Sequence, residues 1–473
     1  MNKIKHFLML VCLCGLAFGC KEEFLELAPI SNSNANNFYK TQQDFDLAVN
    51  SAYATLYTFY GPESGVSYTE QLGDNATLYN VGGVQADRWA FKDYALRTSN
   101  VEVYRFWQEC YKALFSVNIV LDKIEAADLD AAYKDQVKAQ MLFLRGLYYF
   151  NMVQLWGEIP LVTKPITAEE SYQILRSPVA EVYDLIIRDL ESAAGKLPLA
   201  SAVTAPGRAS KGAAQTLLGK VYLTMGNKTA AAQQFQEVVS SGQYELLPQY
   251  ASLWIVTNKN TKESVFEIQY KGGSGNPYSN YWTAFAPTEN FVLTQYGGGM
   301  NQVTDDLYNE YEPGDPRRDA SISTGYTNKV GTFIPIKFPI KWVDRNAQVV
   351  GGRELSNNNF MVLRYADVLL MLAEATGNAA YLNQVRARVG LPAFGSPGYP
   401  TDKYPTLDLA IEHERRVELA LEFHRWYDLK RTNRALLVLT TKGKAVTSQK
   451  LLLPIPEIVR QQNPAIGQNE GYN

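Results

Sequence analysis

Val103, Phe106, Trp107, Cys110, Tyr111, Leu114 and Val117 step along the chain by threes and fours. That spacing puts every one of them on one face of a helix and demands an apolar neighbour for it. The stretch from Leu142 to Trp156 is apolar nearly all round, so it reads as a central helix buried on every side, stopped by Gly157 and Pro160. Ser177-Pro178 opens a further helix with Glu181 in its first turn, running to about Lys196. A first helix is expected near Thr41–Tyr57, and helices resume at 360–390 and 406–433. The fold class is therefore mainly α.

One stretch is more specific. Leu218-Gly219-x-x-Tyr222, a turn at Gly226-Asn227, then Ala231-x-x-x-Phe235 follows the tetratricopeptide pattern of two antiparallel helices. Small residues at Gly219 and Ala231 let the helices approach, and Tyr222 and Phe235 fill the gaps. One such unit cannot bury its own face, so further pairs should stack on it, with 103–126/134–156 and 363–376/378–390 as the candidates. Two stretches interrupt this helical body, 58–100 and about 256–360. The second holds a short strand, Ser264 to Gln269, and then many Gly and Pro residues. Long irregular insertions in a packed domain usually carry function.

The 473 residues carry 45 basic and 48 acidic side chains, with 46% apolar content. That balance excludes a nucleic-acid binder, which needs a basic stripe, and a membrane bundle. Lys3 and Lys5 precede an apolar run from Phe7 to Phe18, and Ala17-Phe18-Gly19-Cys20 closes it. Twelve residues are too few to span a bilayer, so 1–19 reads as an export signal. A Cys after small residues is the pattern of a bacterial lipoprotein cleavage site, with Cys20 as the lipidated first residue; ordinary secretion with an incidental Cys is the alternative. Removal of 1–19 leaves 43 basic against 48 acidic groups, a net charge of −5, and takes away Cys12, Cys14 and His6. With Cys20 acylated, Cys110 has no disulfide partner. No later segment reaches the apolar length of a membrane span.

Catalytic chemistry finds little support. There is no HExxH, no paired CxxC, no phosphate-binding G-x-x-x-x-G-K-[ST] loop and no G-x-S-x-G elbow. No metal and no cofactor are expected. Glu412, Glu414, Glu418 and Glu422 alternate with Arg415, Arg416, Arg425 and Arg431, which reads as ion pairing that fixes the C-terminal helix. A glycosidase would need two carboxyls facing each other from different elements. Asp305-Asp306 and Asp315 to Asp319 read as turn and cap residues. Of the Trp residues, 107, 156, 254 and 426 fall in structural positions, whereas Trp89 and Trp282 lie in the two insertions. Tyr278-x-x-Tyr281-Trp282, with Asn276, Asn280 and Asn290 nearby, mixes flat rings with amides, as a sugar-binding surface requires; the alternative is that these rings pin the long loops to the helical body. From the other insertion, Asp74 and Asn75 could accept from or donate to ligand hydroxyls, though they equally well build a turn. The candidate ligand contacts are thus Trp282, Trp89, Tyr281, Tyr278, Asp74, Asn75 and Asn290.

A set of blocks in fixed order carries a resemblance. They run from Phe24-Leu25-Glu26, Phe38-Tyr39-Lys40, Asp44-Phe45 and Ala48-Val49-Asn50-x-x-Tyr53 through Phe143-Leu144-Arg145-Gly146 and Leu155-Trp156-Gly157-Glu158-Ile159-Pro160. Leu363-Arg364-Tyr365-Ala366-Asp367, Glu414-Arg415-Arg416-Val417-Glu418, Arg425-Trp426-Tyr427-Asp428 and Leu453-Pro454-Ile455-Pro456 follow. Together with the lipoprotein-like start, the chain resembles the SusD/RagB family of outer-membrane lipoproteins over nearly its whole mature length. The resemblance implies one α-helical SusD-like domain over 20–473, with an N-terminal part at about 21–250 and a C-terminal part at about 260–473. It implies four tetratricopeptide-like helix pairs with loop-rich insertions and a few short strands. It also implies no enzyme but a lipid-anchored cell-surface protein of the outer membrane, which captures oligosaccharide or polysaccharide and passes it to a SusC-like TonB-dependent transporter. A RagB-like peptide binder, and an exported glycosidase, are the alternatives. The family's binding residues lie in variable loops outside these blocks, so the candidate contacts rest on loop position and chemistry.

Overall fold

A computed structural model describes residues 38–78, 86–287 and 297–472. Cys20, the segment 1–19 and Asn290 lie outside the described residues.

Helix α1 (Gln42–Ala54) opens on a capping box, in which Thr41 and the Asp44 carboxylate each satisfy the other's backbone N–H. The first insertion follows with α2 (Gly65–Leu72) and α3 (Ala86–Lys92). Then come α4 (Val101–Ala126) and α5 (Ala131–Trp156), capped by Asn100 and Asp130. Gly157, at φ +70°, ends α5 in a conformation that a residue with a Cβ rarely adopts. Helix α6 is Val179–Lys196, with Glu181 in its first turn as expected. The tetratricopeptide-like pair is α7 (Lys211–Thr224) and α8 (Lys228–Ser240). The second insertion carries α9 (Tyr281–Phe285) and α10 (Pro316–Ser321). The chain closes through α11 (Tyr365–Thr376), α12 (Ala379–Arg388), α13 (Leu407–Glu418) and α14 (Arg425–Arg431).

Eight helices, α4 to α8 and α11 to α13, pack each against the next, so the row crosses the second insertion without a break. The reason for a glycine at 219 is visible: a Cβ there would stand 2.5 Å from the Phe235 ring of the partner helix. One hydrophobic cluster runs through the molecule from Phe45 to Tyr472, with two small satellites under the second insertion.

Among the described residues the strands occur only in pairs. Two pairs matter for the site. β1 (Ala76–Thr77) pairs antiparallel with β3 (Gln302–Val303), and β2 (Ser264–Ile268) with β4 (Phe360–Arg364). The β4 strand corrects the expectation of helix from residue 360: Phe360 to Arg364 face β2, and helix begins only at Tyr365. The expected helix 406–433 is likewise two. Leu421 and Phe423 take left-handed φ values of 69° and 67°, which no continuous helix admits. Among the described residues no helix is long and apolar enough to cross a membrane. Cys110 is free and buried, and burial raises its thiol pKa well above the usual value.

Candidate functional site

The two insertions meet. The short β1–β3 ladder joins them, and beside it the Thr304 hydroxyl donates to the Asp74 carbonyl at 2.8 Å. Gln71 Nε2 donates to Asn301 Oδ1 at 3.2 Å, across 230 positions of sequence. Arg88 reaches the Met300 sulfur at 3.9 Å, and the Tyr281 hydroxyl donates to the Tyr60 carbonyl. These contacts bring the two irregular stretches together, which sequence reasoning did not foresee.

The expected contact residues that the structure describes divide into an interior group and a half-buried one. Tyr281 is fully buried and packs nearly parallel against both Trp342, at 5.4 Å, and Phe360, at 5.1 Å, which also contact each other. Burial raises its hydroxyl pKa well above the usual range. Trp282 is 2% exposed and belongs to a satellite core with Ala286, Tyr326 and Phe338. The rings expected at 281 and 282 to face a ligand instead seal the insertion onto the body. Short helix α9 turns both of them inward, where aromatic partners from Tyr326 to Phe423 surround them.

Asp74 and Asn75 are also interior. The Asp74 carboxylate accepts from Arg425 at 2.7 Å and Lys442 at 2.6 Å, and pairs with Arg416 at 3.1 Å. Burial would raise its pKa, but those cations outweigh it and hold the carboxyl well below the usual range. Asn75 bridges Arg416 at 2.9 Å and Glu70 at 3.1 Å. Both side chains are buried and anchor the first insertion to α13 and α14.

Trp89 and Tyr278 stay half-buried, each with part of the ring open. Trp89 sits on α3 at the edge of the main core, with the Lys92 ammonium 4.9 Å from its ring centroid. Helix α3 is held at its N-terminal end. Arg88 bonds Glu63 at 3.0 Å and Glu102 at 2.9 Å, and Asn100 reaches the Asp87 carbonyl at 2.9 Å. Tyr278 flanks the Ser279–Ser356 bridge. Sequence reasoning missed Phe333, which is 59% exposed on a hairpin formed by 326–327 and 333–334. The turn signal Asn328-Lys329-Val330-Gly331 between alternating residues could have found it.

The carboxylate cluster is wholly engaged. Arg364 binds Glu263 at 2.7 Å, Glu418 at 2.9 Å and Glu422 at 2.8 Å, all with side chains at most 2% exposed. Arg317 binds Asp315, Glu414 and Glu418 in full burial. Asp315 also caps α10, as the sequence suggests, but the burial of Arg317 beside it was not foreseen. Glu312, His413 and Glu414 lie close enough to hold a metal ion, yet Arg386 already donates to Glu312 at 2.7 Å and Glu414 at 2.9 Å. A guanidinium fills the place a cation would take. A separate open cleft of about 710 Å³ lies between α4, the segment 160–174 and residues 459–466.

With this geometry in hand the relatives are informative. Residues 23–223 match a family described as starch-binding and associating with the outer membrane, and residues 319–472 match the SusD family. SusD-like protein P2 of Formosa agariphila is 29% identical over 99% of this chain and all of its own length. A SusD-like protein of Bacteroides ovatus is 25% identical over 90% of this chain and 82% of its own. The solved structure of a laminarin-binding SusD-like protein is 30% identical, with a TM-score of 0.79 over 92% of this chain and 100% of that one. A SusD superfamily protein from Parabacteroides distasonis matches at 27% identity and the same TM-score of 0.79, over 91% of this chain and 99% of its own. This chain belongs to the SusD/RagB family.

Proposed function

We propose that this protein is a cell-surface glycan-binding lipoprotein, anchored at Cys20 in the outer membrane and built as one domain from residue 20 onward. It captures an oligosaccharide or polysaccharide and delivers it to a SusC-like TonB-dependent transporter. The observation that carries the reading is the match to a laminarin-binding relative at 30% identity over 92% of the chain. Half-buried or exposed rings on both insertions support it. Trp89 and Tyr278 are the contacts we assign to the ligand, with Phe333 added from its exposure. Stacking of a sugar's C–H face on an open ring needs that access. The protein binds and does not hydrolyse: the acids nearest to a glycosidase pair are saturated by arginines.

Calorimetry over a glycan panel that includes a β-glucan such as laminarin tests the reading. Binding to at least one polysaccharide is expected, with about tenfold weaker affinity in Trp89→Ala, the loss of roughly one stacking contact. Binding of peptides with no binding of any polysaccharide would overturn it. Steady release of reducing ends by the pure protein would overturn the non-enzymatic part.

A further inference from the structure

The open cleft of about 710 Å³ is lined by α4, the segment 160–174 and residues 459–466, with neither insertion among its described lining residues. Those three stretches are tied to one another. Asn118 Nδ2 donates to the Val162 carbonyl at 2.7 Å, Asn463 Nδ2 to the Ile174 carbonyl at 2.9 Å, and Arg176 Nε to the Ile466 carbonyl at 2.8 Å. The cleft is therefore preformed, and its size is that of a small-molecule site.

Its lining sorts by chemistry. Trp107 and Leu114 are buried against it, while Phe115 keeps 49% and Tyr172 39% of their surface in water. Three hydroxyls that line it donate inward: Tyr111 to the Pro160 carbonyl at 3.0 Å, Ser116 to the Lys112 carbonyl at 3.1 Å and Ser171 to the Ala168 carbonyl at 2.6 Å. A neutral sugar would press its own hydroxyls against carbon here, which is costly. The cations are different. Lys112 and Lys164 line the cleft and are exposed, and neither ammonium has an ion-pair or hydrogen-bond partner among the described residues. No carboxylate is among the described lining residues, and Glu109, which feels the Lys112 charge, stands outside them. An apolar wall beside two unneutralised cations suits a ligand with an apolar body and a negative end.

We propose that this cleft binds a single-chain amphiphile with an anionic head, such as a fatty acid. Its chain lies along Trp107, Leu114 and Phe115, and its head meets Lys112 or Lys164 at the mouth. Burial of the chain supplies the affinity and the lysines select the head. The site is independent of the glycan reading, because none of the rings assigned to the sugar lines it.

Calorimetry on the pure Cys20→Ser protein, which carries no acyl chain of its own, tests this. The probes are dodecanoate, octaethylene glycol monododecyl ether and dodecyltrimethylammonium, each below its micelle concentration. They share one chain and differ only in the charge of the head. One dodecanoate per chain should bind with a micromolar Kd, at least about tenfold tighter than the neutral ether, and the cation should bind weakest. The double variant Lys112→Glu, Lys164→Glu should weaken dodecanoate about tenfold or more and leave the ether within about twofold. Phe115→Asp should weaken both probes about tenfold or more. All three positions are exposed, so an unchanged Tm is expected in both variants. Absence of dodecanoate binding at about 1 mM overturns the proposal, as do equal affinities for the three heads. So does dodecanoate binding that survives both variants. Concentration-dependent dimerisation in the ultracentrifuge, lost in Phe115→Asp and indifferent to dodecanoate, would give the cleft to a second copy and overturn it too.

Discussion

The core beneath α5 and the belt around Arg364 are equally dry, yet opposite forces hold them. Around α5 the contacts are carbon on carbon: Phe143, Leu144, Leu147 and Met152 are at most 1% exposed, and Arg145–Asp189 is a lone ion pair in that layer. Under the second insertion the buried volume is charged. Arg317, Arg364, Arg386 and Arg388 interleave with Glu263, Glu414, Glu418 and Glu422. Dispersion and transfer free energy are graded, so an apolar layer yields in proportion to what is removed. A desolvated charge lattice is all or none, because each missing partner strands an ion in a low-dielectric interior.

The sharpest break should come at Arg364→Ala, which leaves Glu263, Glu418 and Glu422 facing one another. A loss of about 3–5 kcal/mol in urea unfolding is expected, and Arg364→Lys should recover little, because an ammonium has three donors where the planar guanidinium makes five hydrogen bonds. Recovery by Lys to within about 1 kcal/mol would show the belt to be graded after all. In the apolar layer Leu144→Ala should cost roughly 2–5 kcal/mol, whereas Leu144→Met should cost less than about 1.5.

Glu70 tests the border between the two regions. Burial, opposed by Asn75 and the Phe423 N–H, pushes its pKa up to about 7. A carboxyl raised in the folded state favours its proton there, so its stabilising share is present below about pH 4.5 and is lost as pH rises through 7. Relative to the wild type, Glu70→Gln should therefore gain roughly 2–3 kcal/mol between pH 5 and 8. Parallel stability profiles for the two proteins would contradict this. Gly219→Ala should follow at about 1–3 kcal/mol, since its methyl group meets the Phe235 ring. The smallest effect belongs to the surface: Lys403→Ala, at an exposed partner of Glu310, should change stability by at most about 1 kcal/mol and less in high salt.

The same contrast decides what could be read from the chain. Helices α4 to α8 are written in local spacing, and their caps and stops stand where Asn100, Asp130 and Gly157 place them. The break between α13 and α14 has no local signal, for Leu421 and Phe423 are neither glycine nor asparagine. Distant partners impose it: Glu422 is drawn to Arg364 and Lys341, and the Phe423 N–H to Glu70. The strand at Phe360 was equally hidden, since its partner β2 lies about a hundred residues earlier. The candidate site shows the limit most clearly. Tyr281 and Trp282 sit among glycines and asparagines that advertise a loop, but what covers them comes from elsewhere in the chain. Asp74 likewise finds Arg425 351 positions away. Ring position in a loop predicted chemistry; exposure was set by tertiary contacts.

Residues 453–469 fasten back onto the end of α5. Leu453 N–H bonds the Leu155 carbonyl at 2.8 Å, Trp156 Nε1 bonds the Pro454 carbonyl at 3.2 Å, and Asn469 reaches the Trp156 carbonyl at 2.9 Å. A polypeptide made from its N-terminus must therefore wait for its final stretch before the end of α5 is latched. A cut near residue 450 would leave these hydrogen bonds in place but turn the latch from an intramolecular contact into the association of two fragments.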